Sequence, residues 1–244
     1  MDNNLTGQRV MVVGGSSGMG LAVSARLMRM GCQVQIVGRS RDKLDAAREP
    51  LRPFGEPQLH PADVTDEAQV RRLFEEAGAV DHLVCTAADI RGAYELLPQL
   101  GLDALDRAIR SKVVAPILLA KHGAARMPSH GSITLTSGIA AYRPRAKGVA
   151  VAAINAALEG IVRAMAVELA PLRVNAVSPG WVRTPIWNDV AGADSETLLA
   201  AMAERLPVGR VGDGDDIADA IVFLLGNGYT TGTVLHVDGG HRLV

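Results

Sequence analysis

Apolar positions cluster in six short runs: RVMVV at 9–13, QVQIV at 33–37, DHLVC at 81–85, SITLT at 132–136, LRVNAV at 172–177 and TVLHV at 233–237. Several are apolar almost throughout, the pattern of strands covered on both faces of a parallel sheet. Between them, residues 18–30, 41–48, 67–77, 102–125, 149–170 and 215–225 repeat their apolar positions at helical spacing over the length of crossover helices. Alternating strands and helices predict an α/β fold: one doubly wound domain over residues 1–244, with a parallel sheet of about seven strands and helices on both faces. Its ligand crevice is expected beyond the carboxyl ends of the strands.

The first run leads into GGSSGMG at 14–20, which opens the next helical segment. Gly14 permits the tight turn, and Ser16 and Ser17 offer hydroxyls and amides. The amides of Gly18, Met19 and Gly20 stand at a helix N-terminus, where phosphate charge is favoured. Glycine collects in turns for steric reasons, but strand, loop and helix in this order point to a dinucleotide site. The second run ends in VGRSRDK, with Arg39 just past the strand and no carboxylate before Asp42. An acidic residue there would hold a ribose 2′-hydroxyl and a basic one a 2′-phosphate, so the local pattern favours NADP(H) over NAD. The alternative for Arg39, Arg41 and Lys43 is solvated charge on the next helix.

With 48% hydrophobic and 21% charged residues and a net charge of −1, the chain has material for one generous core and no strongly basic face. Neither nucleic acid nor a membrane is expected as a partner. No uncharged apolar run approaches the ~18 residues of a bilayer span, and the N-terminal MDNNLTGQRV lacks an apolar signal core. A cytoplasmic, soluble protein is expected. Cys32 and Cys85 lie in or beside apolar runs and read as packing residues. The six histidines have no metal-ligand spacing, so no metal site is expected.

In GGSSGMG the chain resembles the short-chain dehydrogenase/reductase family, whose loop reads T-G-x-x-x-G-[IL]-G; Val13 replaces the threonine. The resemblance extends through PADV at 61–64, RVNAVSPGWVRTP at 173–185 and TGTVLHVDGG at 231–240, and covers nearly the whole chain. It implies a Rossmann fold, adenine contacts from Asp63 and Val64, and cofactor contacts from Ala87, Pro179, Gly180, Val182 and Thr184. Cys85-Thr86-Ala87-Ala88 stands where the family has Asn-Asn-Ala-Gly, which adds Ala88 to the cofactor side. The resemblance also implies a substrate lid around residues 185–207 and a homodimer or homotetramer. Trp181 and Trp187 flank the nicotinamide loop; they either favour an apolar substrate or pack in the core.

The departures concern the chemistry. Aligned on SITLTS, the family's catalytic serine falls at Ser137, a residue that could equally cap a turn. The family pattern Y-x-x-x-S-K, laid over VAAINAALEG, puts Val151 in place of the tyrosine and Asn155 in place of the lysine. Valine can neither give nor take the proton that the tyrosine handles. Tyr142 and Lys147 do not restore the motif, because they are five apart with Pro144 between them. Tyr142 either packs near the surface or projects from its loop into the pocket. Aligning on Ala115-Pro116 puts Lys112, or with a shift of one Ser111, at the family's helix asparagine. Asparagine and lysine thus look exchanged between two helices, unless Lys112 simply faces solvent. Three functions fit: an atypical NADP(H)-dependent oxidoreductase acting on a small apolar carbonyl, hydroxyl or imine compound; a related enzyme of non-redox or coupled chemistry; or a non-catalytic NADP-binding protein.

Overall fold

The computed structural model describes residues 5–244, apart from the side chains of Asn188, Asp189 and Ala191; residues 1–4 of the polar N-terminal segment lie outside the described residues. Along β1 (Arg9–Val13), Val10 and Val12 are buried in one apolar layer while Met11 and Val13 are buried in another. That two-residue alternation, apolar on both sides, places the strand between two helical layers. It pairs in parallel with β2 (Gln33–Gly38) on one side and β4 (His82–Cys85) on the other, Val13 standing opposite both Val37 and Cys85. With β3 (Gln58–Pro61), β5 (Ser132–Thr136), β6 (Arg173–Pro179) and β7 (Val234–Val237) they form a seven-stranded sheet in the order β3-β2-β1-β4-β5-β6-β7. The order reverses between β1 and β4, which opens the crevice there.

One face of the sheet carries α1 (Gly18–Arg29), α2 (Arg41–Leu51) and α9 (Gly214–Gly226), whose Val23, Leu27, Leu44, Ile221 and Leu224 fill that layer. The other carries α3 (Glu67–Ala77), α4 (Leu102–Ile109), α5 (Ala115–Gly123) and α6 (Val149–Glu168); Phe74, Leu119, Leu158 and Val162 meet Leu83, Ile133 and Val174 from the strands. Side-chain caps fix several helix starts. Ser40 accepts from the Lys43 amide and Asp66 from the amides of Ala68 and Gln69, and Asp213 and Asp216 form a capping box. Helix α6 is the one described helix long and apolar enough by composition to cross a membrane. Here it lies along the sheet, with Val151, Ile154, Leu158 and Val162 buried. Residues 185–207 contain α7 (Ile186–Ala191), a short turn and α8 (Ser195–Ala203).

The apolar pattern located six strands and missed β3. Its QLHP is half-buried at the sheet edge and lacks the apolar density of the inner strands. The single helix expected at 102–125 is α4, a π-helical turn at Arg110–Val114, and α5.

Candidate active site

In the turn after β1, side chains on two of the glycines would strike backbone. Gly14 has φ +86, and a Cβ there would come 2.9 Å from the Ala87 amide. A Cβ on Gly20 would lie 2.1 Å from the Gly14 carbonyl oxygen, so backbone meets backbone at the start of α1. Ser17 is the N-cap of that helix but makes no capping hydrogen bond, and the first turn carries no acidic residue. Gly18, with φ +51, brings the loop against Thr184 from beyond β6: a Cβ on it would lie 3.5 Å from the Thr184 Cβ. Gly18 thus brings the start of α1 beside Thr184, and the helix dipole favours an anion at that end.

Arg39 does not stand free at the end of β2. It reaches past the end of β1 to Asp89, beyond β4, at 3.1 Å, and Arg91 bonds both oxygens of the same carboxylate at 2.9 and 2.6 Å. Arg91 and then Arg39 hold the buried Asp89 carboxyl well below the usual carboxylate range. The carboxylate that Arg39 meets comes from a residue 50 positions away in the chain. Asp63 is tied into its own turn, accepting from the Thr65 amide and hydroxyl at 2.9 and 2.8 Å. Val64 is buried beneath it, and Ala87 and the exposed Ala88 continue from β4. Pro179 ends β6, the Gly180 amide donates to Val237, and Val182 bridges to Gly212.

Beyond the end of β5 lies a second, denser cluster. Lys112 is 6% exposed, and its ammonium donates to the Thr136 carbonyl, with the Ser137 carbonyl 3.5 Å away. Burial pushes this lysine down to about 8. It therefore faces the sheet end and not solvent. Its neighbour Ser111 is buried too, its hydroxyl accepting from the Asp89 amide at 2.9 Å. Asn155 is buried against Gly138, where a Cβ would come 2.9 Å from its Nδ2. Val151 is packed with Ala93, Ala108, Ala150 and Ile154. The side chain at this place is hydrocarbon among hydrocarbon and has no proton to offer.

Ser137 turns inward. Its hydroxyl donates to the Glu159 carboxylate at 3.0 Å, with the Asn155 carbonyl at 3.3 Å, and the Tyr142 hydroxyl donates to the other Glu159 oxygen at 2.6 Å. That bond to Glu159 raises Tyr142 above the ordinary phenol value. Tyr142 thus leaves its loop to bond a buried carboxylate, and its ring meets His236 edge-on at 4.5 Å. Glu159, Asp89 and Arg91 were not found from the sequence. Glu159 carried one usable signal, a lone acid in the apolar stretch VAAINAALEGIV. Trp181 and Trp187 stack on each other at 4.3 Å, and Trp181 is buried with Leu199, Met202, Leu206 and Val211. For Trp181, this is the core-packing alternative.

A family model described as enoyl-(acyl carrier protein) reductase matches residues 13–242. The short-chain dehydrogenase/reductase ATR9 of Stachybotrys chlorohalonatus is 31% identical over 97% of this chain and 97% of its own length. The chain belongs to the short-chain dehydrogenase/reductase family. Among solved members, the MalC reductase/Diels-Alderase of Malbranchea aurantiaca superposes with a TM-score of 0.92 at 31% identity, covering 100% of both chains. A small-chain dehydrogenase solved in complex with NADPH superposes with a TM-score of 0.83 at 35% identity, over 98% of this chain and 100% of that one.

Proposed function

We propose that this chain is an NADP(H)-dependent oxidoreductase with a non-standard active site, acting on a small, apolar carbonyl, hydroxyl or imine compound. The observation that carries the cofactor half is the turn in which Cβ atoms on Gly14 or Gly20 would strike backbone, at a helix start without its own cap or acid. Residues 14–20 would hold the pyrophosphate, Asp63 and Val64 the adenine, and Arg39 the 2′-phosphate. Ala87, Ala88, Pro179, Gly180, Val182 and Thr184 would line the nicotinamide side. A relative 35% identical was solved with NADPH, which supports the same cofactor here. When bound, this cofactor supplies a hydride.

In this reading Val151 and Asn155 occupy the positions of the family's tyrosine and lysine, and Lys112 brings the one cation to the same gap from the opposite helix. Below about pH 8 Lys112 is charged and can stabilise negative charge on a substrate oxygen. Residues 185–207 would form the lid. Exposed Ile117 on α5 and Val149 and Val167 on α6 suit self-association into a homodimer or homotetramer, which sedimentation would read. Calorimetry with NADPH and NADH, followed by NADPH oxidation with a panel of carbonyl compounds, tests the function. Tight NADPH binding with slow turnover of simple ketones is expected, since a missing general acid costs ~10²- to 10⁴-fold. No binding of either nucleotide would overturn the proposal.

A second reading is favoured by a specific observation. MalC is named as both a reductase and a Diels-Alderase, and Val151 is buried among hydrocarbon and offers no proton. A reduction coupled to cyclisation or isomerisation fits such a site. Product analysis after NADPH oxidation would separate it from simple reduction.

A further inference from the structure

Among the described residues Glu159 is the carboxylate that joins two of the candidate catalytic side chains, and the proposed function gives it no role. It is 6% exposed on α6 and accepts from Ser137 at 3.0 Å on one oxygen and from Tyr142 at 2.6 Å on the other. Tyr142 is 44% exposed, so the chain of three groups runs from the surface to the buried Ser137. Two consequences follow from this geometry. While Glu159 is ionised, the Ser137 hydrogen points away from any substrate and the serine can only accept. When Glu159 carries a proton, Ser137 can turn its own hydrogen outward and be resupplied from behind.

We propose that Glu159 is the positioning residue that supplies Ser137 with a proton, the relay Tyr142–Glu159–Ser137 replacing the tyrosine lost at Val151. The inference rests on the redox reading above. Hydride adds to the carbonyl carbon, and the C=O π pair moves to oxygen. That oxygen takes the Ser137 hydroxyl proton. The serine oxygen recovers a proton from the Glu159 carboxyl, and that carboxylate is reprotonated through the Tyr142 hydroxyl, which passes its proton inward as it takes one from solvent, so that no free phenolate is formed. Bonds and charges balance, and the net proton comes from solvent. The ionisable groups around the relay are His236 on β7, kept neutral first by burial, and Arg163 and Arg242, both of which act on Tyr142.

Two readouts test it. The first needs no cofactor: ultraviolet titration of the phenols, with Tyr142→Phe identifying the Tyr142 step among the three tyrosines. Replacing the carboxylate in Glu159→Gln should lower the Tyr142 midpoint, because the bond that raises it is removed. The second is NADPH oxidation with 2,3-butanedione as probe. Ser137→Ala and Glu159→Gln should each slow turnover at least about tenfold, and the double variant should be no slower than the worse single one, because residues acting as a unit are not additive. NADPH affinity by calorimetry should stay within about twofold, equivalent to ~0.4 kcal/mol. An unmoved Tyr142 midpoint, or single effects that multiply in the double variant, overturns the relay and leaves the redox reading standing. Wild-type protein that binds NADPH but oxidises none of it with any carbonyl probe overturns both.

Discussion

At the scale of single residues, the buried charge of Lys112 costs stability. Lys112 is held at about 8, against an ordinary value of 10.5, by desolvation. Between those two values the unfolded chain keeps a proton that the folded chain has lost, so stability should rise with pH across that window. Below about pH 8 the penalty is present in full, on the order of 3 kcal/mol at neutral pH. Urea unfolding should therefore show Lys112→Met more stable than wild type at pH 7 by on the order of 1–3 kcal/mol, the lost bond to Thr136 offsetting part of the gain. The difference should shrink toward pH 10, and a pH-independent difference would place the ammonium in solvent. A second prediction concerns Arg39. In the proposed reading its bond to Asp89 would be shared with the 2′-phosphate, so Arg39→Ala should reduce the NADPH-over-NADH preference by about 1–3 kcal/mol; equal wild-type affinity for both nucleotides would sink the assignment. Lys112 and Arg39 could be singled out because each is a basic side chain at a position the family motif makes informative. Their partners could not, since Asp89 and the Thr136 carbonyl meet them only through the sheet order.

At the scale of elements, the departure from regular helix is where the site is made. The turn Arg110–Val114 is π-helical, and both Ser111 and Lys112 on it are buried. An inserted residue of this kind re-aims the side chains of the widened turn, and here one bonds the Asp89 amide and the next the end of β5. Helical periodicity at 102–125 located the segment but assumed an even turn throughout, so it could not show two successive residues facing inward. The strand-loop-helix order at residues 9–20 was legible because its glycines are required by backbone contact. Adding one carbon at Gly20 should show this: with only 2.1 Å to the Gly14 oxygen, Gly20→Ala must shift the loop or the helix start. NADPH affinity measured by calorimetry is expected to fall at least about tenfold, or ~1.4 kcal/mol, with the circular dichroism of the fold retained. Unchanged affinity would move the cofactor away from this turn.

For the whole molecule, part of the acid limb of stability is set at the amino ends of the strands, away from the crevice. The crevice lies beyond the carboxyl ends, whereas His82 begins β4 at the other end, buried between Ser132 Oγ at 2.8 Å from Nδ1 and Gln8 Oε1 at 2.5 Å from Nε2. The amide oxygen can only accept, so Nε2 carries the hydrogen, Nδ1 accepts from the serine, and the neutral ring is satisfied on both sides. Protonation would leave two donors facing each other at Ser132 unless the hydroxyl turned away. Burial first, and then the nearby Arg173, push His82 down to about 4 from an ordinary 6.5. Between these values the unfolded chain takes up a proton that the folded chain refuses, so stability is lost as pH falls through that window, by on the order of 3 kcal/mol in all. His60, His236 and His241 are shifted in the same direction by burial and deepen the acid limb. Carboxylates such as Asp81 and Asp216, held below their ordinary 3.8, act mainly at lower pH. Urea midpoints measured from pH 7 to pH 4 should fall in the wild type and fall less steeply in His82→Gln, while NADPH affinity at pH 7.5 is the same for both. The His82 ring should show no chemical-shift titration by NMR until pH approaches 4, and a midpoint near 6.5 would overturn this account of the acid limb.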